Sequence, residues 1–68
     1  MTQISKKLGQ NIKRIREEKG MSQGDISRVL NMDRGYISRI ESGQKNPTVA
    51  NLGRIANALG VSIDQLLK

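Results

Sequence analysis

Apolar residues along this chain recur every three or four positions, which is the spacing of one face of an α-helix. The pattern begins with Ile4, Leu8, Ile12 and Ile15. No segment shows the alternation of apolar and polar residues that a half-buried β-strand requires. The sequence therefore predicts an all-α fold. The five predicted helices span residues 5–19, 23–30, 33–42, 48–59 and 62–67.

Residues that begin and end helices support these boundaries. Residues that favour the N-cap position stand at the start of four helices, at Ser22, Asp33, Thr48 and Ser62. Residues that tolerate a left-handed backbone follow four helices, at Gly20, Asn31, Gly43 and Gly60. The predicted inward-facing residues of the middle helices are Ile26, Val29, Leu30, Ile37, Ile40, Val49, Leu52, Ile55, Ala56 and Leu59. We expect residues 1–68 to form one compact five-helix bundle, with no effector domain after it.

The second and third predicted helices are separated by a very short turn. Only Asn31 and Met32 lie between the end of one helix and the N-cap of the next. A turn of this length forces the helices to cross steeply, which is the geometry of a helix-turn-helix. In that motif one helix braces the structure and the other projects outward.

The outward face of the third helix carries candidate DNA-binding residues. Because Ile37 and Ile40 face the core, the opposite face holds Arg34, Gly35, Ser38 and Arg39. Arginine binds guanine O6 and N7 through two hydrogen bonds, and small residues let a helix enter the major groove closely. A glycine inside a helix costs roughly 1 kcal/mol relative to alanine. Close approach to DNA explains that cost at Gly35; the alternative is a surface glycine at a tolerant position.

The net charge favours the same kind of partner. The 68-residue chain has 12 Lys and Arg against 6 Asp and Glu, a formal net charge of +6. This excess favours a polyanion, nucleic acid ahead of an anionic membrane; the alternative is a soluble protein that happens to be basic. There is no run of about 18 apolar residues and no apolar signal segment near Met1. We therefore expect a cytoplasmic, nucleoid-associated protein with no membrane partner.

Composition argues against catalysis. The chain lacks cysteine and histidine, which removes disulfides, thiolate chemistry and most transition-metal sites. Its serines have no histidine to activate them as nucleophiles, and the glycine-rich phosphate-binding motifs are absent. We expect no enzymatic activity, no catalytic residues, no cofactor, no metal and no small-molecule ligand.

Three motifs give the chain a resemblance to a known family. They are "KGMSQ", "YISRIESG" and "NPTVANLGRIANALGVS", at matching spacing within residues 8–67. They resemble the lambda-repressor-like, Cro-type helix-turn-helix regulators, also called the xenobiotic-response-element family. The resemblance implies a five-helix domain that binds operator DNA, usually as a two-fold dimer. Compact members include restriction-modification controller proteins, phage or mobile-element repressors and antitoxins.

The resemblance also implies roles for particular residues. Arg34, Gly35, Ser38 and Arg39 match the positions that face bases. Phosphate contacts are implied for Ser22, Gln23, Tyr36, Ser42, Gln44, Lys45 and Asn46. Two alternatives stay open: Tyr36 contacts the DNA backbone or covers the edge of the core, and the loop of residues 42–46 is a plain solvated turn. Arg16 and Glu41 match an ion pair that joins the first helix to the third.

The fifth helix carries more apolar surface than one core requires. Val61, Ile63, Leu66 and Leu67 are the predicted dimer interface, with docking onto the fourth helix as the alternative. We interpret the chain as a sequence-specific transcriptional regulator. It would bind a pseudo-palindromic operator in double-stranded DNA as a homodimer, through the third helix in the major groove. The alternatives are an antitoxin-type or adaptor module with secondary DNA binding, and a nonspecific nucleoid or membrane-surface binder.

Overall fold

The computed structural model describes the backbone of residues 3–68 and the side chains from Ser5 onward. Ile4, which begins the predicted apolar pattern, lies outside the described side chains. The helices are α1 Gln3–Glu18, α2 Gln23–Leu30, α3 Arg34–Glu41, α4 Val49–Leu59 and α5 Ile63–Leu67. The predicted all-α fold of five helices is confirmed. The starts of α3, α4 and α5 lie one residue later than predicted, because the predicted first residue of each is its N-cap. Helix α3 also ends one residue earlier than predicted, and α1 begins two residues before and ends one residue before its predicted bounds.

Apolar side chains from all five helices form one core. Helix α1 packs against α3 and α5, α2 packs against α3 and α4, and α4 packs against α5. The buried core residues are Leu8, Ile12, Ile15, Ile26, Leu30, Ile37, Ile40, Ile55, Ala56, Leu59 and Leu66. None of the helices in the described range combines the length and apolarity that crossing a membrane requires.

Two valines lie outside the core, and their predicted inward orientation is wrong. Val29 is 64% exposed because the short helix α2 meets the core only along the line of Ile26 and Leu30. Val49 is 81% exposed because it lies in the first turn of α4, well before Ile55, the first buried residue of that helix. Helical spacing predicts on which side of its helix a residue lies. It does not predict whether a neighbouring helix covers that residue.

The apolar residues at the C-terminal end of the chain divide into two groups. Leu66 is 0% exposed, so it belongs to the core and cannot contribute to the predicted dimer interface. Val61 and Ile63 are half-buried against the core, whereas Leu67 is 48% exposed. Asn11 Nδ2 donates a hydrogen bond to the Leu66 carbonyl oxygen at 2.8 Å, which ties α1 to the end of α5.

Side-chain hydrogen bonds stabilise the starts of α2, α4 and α5. Ser22 and Ser62 each form a reciprocal capping box with the residue three positions later. Thr48 accepts a hydrogen bond from the Asn51 backbone N–H. Caps of this kind contribute about 1 kcal/mol each. Asp33 occupies the N-cap position of α3 with an extended backbone, but its side chain makes no capping hydrogen bond.

Local hydrogen bonds hold the short turn between α2 and α3. Asn31 adopts the left-handed conformation, with φ of 54°, and the Met32 N–H donates to the Ser27 carbonyl oxygen at 3.0 Å. The Ser27 hydroxyl in turn donates to the Met32 carbonyl oxygen. Arg54 of α4 donates to the Leu30 carbonyl oxygen at the end of α2. The turn is therefore a rigid connection that sets α3 relative to α2.

Helix α1 passes directly against the backbone at the C-terminal end of α3. A Cβ atom on Gly9 would lie 2.6 Å from the Glu41 carbonyl oxygen and closer still to that of Ile40. Just beyond α3, Gly43 has a φ of +80°, and a Cβ atom there would lie 3.1 Å from the Cα of Lys6. Both contacts require glycine. The sequence pattern did not reveal the role of Gly9, because helical spacing carries no information about the distance to a partner helix.

We expect Gly9→Ala to lower the free energy of unfolding by about 1–3 kcal/mol, as overpacking does in other cores. The new methyl group would meet backbone atoms that cannot rotate away. Urea denaturation followed by circular dichroism measures the change. The matched control is Gly53→Ala in α4, where a Cβ atom meets only Ile63 Cδ1 at 4.0 Å. Helix propensity should leave that variant unchanged or stabilise it by up to about 1 kcal/mol; equal effects at both sites would contradict the close approach.

Candidate nucleic-acid interface

Helix α3 presents one face to the core and the other to solvent. Ile37 and Ile40 are each 1% exposed, which confirms their predicted inward orientation. The opposite face holds the exposed residues Arg34, Ser38 and Arg39, together with the partly exposed Gly35. Within the described part of the chain, neither the Arg34 nor the Arg39 guanidinium forms a hydrogen bond or an ion pair. Both cations therefore keep their full donor capacity for an external partner.

A buried ion pair holds α3 against α1. Arg16 Nε and Nη2 donate to the two carboxylate oxygens of Glu41 at 2.7 and 2.9 Å, and both residues are buried. The hydrogen bond to Glu41 is the main reason that the pKa of Arg16 is raised above its ordinary value. Arg16 Nη1 also donates to the Met21 carbonyl oxygen at 2.7 Å. One guanidinium thus connects α1, the segment before α2 and the last residue of α3.

The first residue of α2 joins this network. Gln23 Nε2 donates to Glu41 Oε1 at 3.0 Å, so the side-chain amide is engaged within the protein. The sequence predicted Gln23 only as a phosphate contact. Its bond to Glu41 was not predicted, because a hydrogen bond between residues 18 positions apart leaves no periodic signal.

Two backbone N–H groups at the start of α2 remain open to an anion. The Ser22 N–H donates to Asp25 Oδ2 at 2.8 Å, and the Asp25 N–H donates to Ser22 Oγ at 3.0 Å. The hydrogen bonds from Ser22, and the neighbouring Arg28, lower the pKa of Asp25. The Ser22 N–H is therefore engaged within the protein. The N–H groups of Gln23 and Gly24 have no carbonyl partner within the helix.

Tyr36 is half-buried at the edge of α3, and α4 holds its hydroxyl. Asn51 Nδ2 donates to the Tyr36 hydroxyl oxygen at 3.1 Å, and Arg54 Nη1 donates to Asn51 Oδ1 at 3.5 Å. The Tyr36 proton is thereby directed away from Asn51, where it can be donated to another group. Lys45 Nζ lies 5.7 Å from the centroid of the Tyr36 ring, within cation–π range. The ring packs against the core, so covering the core does not prevent a contact through the hydroxyl.

The loop after α3 is held by backbone and side-chain bonds and exposes its polar residues. The Gln44 N–H donates to the Arg39 carbonyl oxygen at 2.9 Å, which is part of a Schellman ending. Asn46 Oδ1 accepts a hydrogen bond from the hydroxyl of the buried Ser5 on α1, a partner that the sequence did not indicate. The predicted phosphate-contacting residues of this loop are all exposed: Ser42, Gln44, Lys45 and Asn46.

Comparison with known proteins identifies the family. A family model described as helix-turn-helix matches residues 12–66. The chain belongs to this helix-turn-helix family. That span includes all of α2, α3 and α4, and thus the tight turn and the exposed face of α3.

Two relatives indicate what this helix-turn-helix protein does. It is 40% identical to the HTH-type transcriptional regulator y4dJ of Sinorhizobium fredii, over 94% of the chain and 83% of the relative. It is 34% identical to control protein C.MunI from Mycoplasma sp., over 97% of the chain and 90% of the relative. The family and these relatives are DNA-binding regulators, not enzymes. The predicted role in transcriptional regulation through DNA binding is confirmed: the helix-turn-helix protein is a DNA-binding transcriptional regulator of the lambda-repressor-like, Cro-type class.

Two solved structures match the fold of this helix-turn-helix regulator. The restriction-modification controller protein C.AhdI from Aeromonas hydrophila matches with a TM-score of 0.85 and 33% identity, over 90% of this chain and 92% of that chain. The controller protein C.Esp1396I matches with a TM-score of 0.87 and 38% identity, over 98% and 90% of the two chains. Both agree with a small all-α helix-turn-helix domain.

Glu41→Gln should destabilise the helix-turn-helix regulator far more than the loss of an exposed ion pair. The amide leaves the buried Arg16 without a counter-charge, so we expect a loss of about 3 kcal/mol in the free energy of unfolding, measured by urea denaturation. Glu18→Gln is the control, since the pair between Glu18 and Arg14 is mostly exposed and its loss should cost less than about 0.5 kcal/mol. A Glu41→Gln cost no larger than the control would show that the buried pair does not hold α3.

Proposed function

We propose that this regulator binds a pseudo-palindromic operator as a homodimer, with α3 of each subunit in the major groove. The observation that carries the proposal is the exposed face of α3. There, two arginines without an internal partner stand opposite two fully buried isoleucines. In this arrangement Arg34 and Arg39 bind guanine edges, while Gly35 and Ser38 let the helix backbone come close. An adaptor module would gain nothing from such a face.

Phosphate contacts on either side of α3 would set the register of the protein on DNA. The free N–H groups of Gln23 and Gly24 lie at the positive end of the α2 dipole, which favours an anion. The Tyr36 hydroxyl supplies a donor, and Lys45 beside it supplies a positive charge. The remaining proposed phosphate contacts are Ser22 through its side chain, Ser42, Gln44 and Asn46. Contacts of this kind position the protein without carrying sequence information.

The proposed dimer contact lies at the C-terminal end of the chain. Leu67 is 48% exposed, and Val61 and Ile63 are half-buried beside it. Dimerisation doubles the number of phosphates contacted and of bases recognised, which a domain of this size needs for a specific site. Each subunit would then bind one half-site, with the two half-sites about one helical turn of DNA apart.

The relatives favour one regulatory setting. The similarity to C.MunI, C.AhdI and C.Esp1396I supports a controller protein of a restriction-modification system, which acts at the nucleoid on its own operator. Residues 1–68 would act as one DNA-binding domain. Selection of genomic fragments by the purified protein, followed by footprinting, gives the operator, its symmetry and the half-site spacing; an operator without two-fold symmetry would contradict the dimer model.

Arg34→Ala and Arg39→Ala should each weaken binding to that operator by about 1–3 kcal/mol. Each should also reduce the discrimination between the cognate base and other bases at the contacted position. Fluorescence anisotropy on the operator and on its single-base variants measures both effects. Lys45→Ala is the matched control, because loss of a phosphate contact should weaken binding to all sequences alike and reduce the salt dependence. If both arginine variants kept full discrimination, α3 would not be the base-reading element.

Leu67→Lys should convert a dimer into a monomer, because it places a charge in an apolar contact. Analytical ultracentrifugation at high micromolar protein concentration measures the mass. Val29→Lys is the control: it changes an even more exposed valine, 64% exposed, on a different helix, and should leave the mass unchanged. A wild-type protein that sediments only as a monomer at these concentrations would rule out the proposed interface.

A further inference from the structure

Asp33 departs from the other N-cap residues of the described helices. Ser22, Thr48 and Ser62 each accept a hydrogen bond from a backbone N–H of the helix that they begin. Asp33 occupies the same position before α3 and is exposed, yet it makes no such bond. Aspartate is among the strongest N-capping residues. The Asp33 carboxylate is therefore not used as a helix cap.

The Asp33 carboxylate and the Arg39 guanidinium converge on Gly35. A Cβ atom on Gly35 would lie 3.2 Å from Asp33 Oδ2 and 3.4 Å from Arg39 Nη1. Arg39 is one turn further along α3, but helical side chains lean towards the N-terminus, so its guanidinium reaches back to the first turn. The two groups form no ion pair with each other. Both remain able to bond to an outside partner.

These two groups suit neighbouring edges of one base pair. Arginine donates to guanine O6 and N7, whereas an ionised carboxylate can only accept hydrogen bonds and pairs with the amino group of cytosine N4. In a G·C pair the guanine acceptors and the cytosine amino group lie side by side in the major groove. Arg39 and Asp33, whose charged groups lie over the same glycine, can therefore bond to the guanine and the cytosine of one such pair.

We propose that Asp33 is a specificity-determining residue, which accepts a hydrogen bond from a cytosine amino group beside the guanine bound by Arg39. The inference rests on the proposed function, because it requires the first turn of α3 to face base edges. Gly35 supplies the space in which the two side chains meet. That accounts for a glycine inside a short helix, a choice that helix propensity opposes.

The same carboxylate disfavours other sequences. Phosphate oxygens repel it, and a base edge without an amino group leaves it desolvated and without a donor. Loss of Asp33 should therefore have two opposite effects. Binding to non-cognate DNA becomes tighter, while discrimination at one base pair of the half-site becomes weaker.

The test compares Asp33→Ala with Asp64→Ala. Asp64 is exposed in the first turn of α5, so its removal causes the same change in net charge on a helix other than α3. Binding of purified protein to a library of randomised half-sites, followed by sequencing, measures the preference at every position. Fluorescence anisotropy with a non-cognate duplex measures nonspecific affinity.

We expect Asp33→Ala to reduce discrimination at one G·C pair by about 5- to 150-fold and to raise nonspecific affinity more than Asp64→Ala does. Asp64→Ala should leave every base preference intact. Asp33→Asn, which keeps the shape of the side chain and is equally favoured at the N-cap position, should shift the preference at that position from cytosine towards adenine. This second variant keeps the inference testable if the alanine variant is poorly folded.

Unchanged base preferences in both Asp33 variants would overturn the inference. If Arg34→Ala and Arg39→Ala still blur the preferences in that case, only the role of Asp33 fails. If the arginine variants also leave the preferences intact, the proposed function itself fails.

Gly35→Ala tests the shared space independently. It should fold with an unchanged or higher melting temperature, because alanine favours the helix, yet weaken discrimination at the same base pair as Asp33→Ala. A Gly35→Ala protein with wild-type preferences would show that the two side chains do not depend on the space above the glycine.

Discussion

The buried contact between Arg16 and Glu41 is the constraint on which the placement of α3 depends. A helix of eight residues is too short to be stable alone in water, so its orientation must come from the rest of the protein. Ile37 and Ile40 bury apolar surface, but that packing has little directional preference. The two parallel hydrogen bonds of the guanidinium to the carboxylate set both distance and angle. Because Gln23 and Met21 bond to the same two side chains, the start of α2 is held by the same contact.

Glycine occurs inside four helices of this chain, and three of these positions differ in what surrounds the missing side chain. At Gly9 the missing side chain allows two helix backbones to touch, and at Gly35 it leaves room for two charged side chains. At Gly53 the surrounding space is open. All three carry the same intrinsic cost within a helix. They differ in which atoms of the folded protein lie beside the missing side chain. The fold, and not the local sequence, determines those atoms.

Much of the architecture could be predicted from the sequence, because helix periodicity and capping are local. The two-residue turn after Leu30 and the inward orientation of Ile37 and Ile40 follow from spacing alone. Val29 and Leu66 were misjudged because burial depends on where other helices end. The contact of Arg16 with Glu41 was expected only through family resemblance, and the bonds of Gln23 and Asn51 were missed entirely. Long-range polar contacts leave no repeating pattern for sequence reasoning to detect.

The bond from Asn51 to the Tyr36 hydroxyl gives α4 control over a group that belongs to α3. Its amide occupies one side of the phenol oxygen and so decides where the proton points, and Arg54 holds that amide in turn. Substitutions at residues 51 and 54 can therefore redirect a donor while every side chain on the outer face of α3 stays the same. The surroundings of the Tyr36 hydroxyl and the residues on the outer face of α3 can therefore change independently of each other.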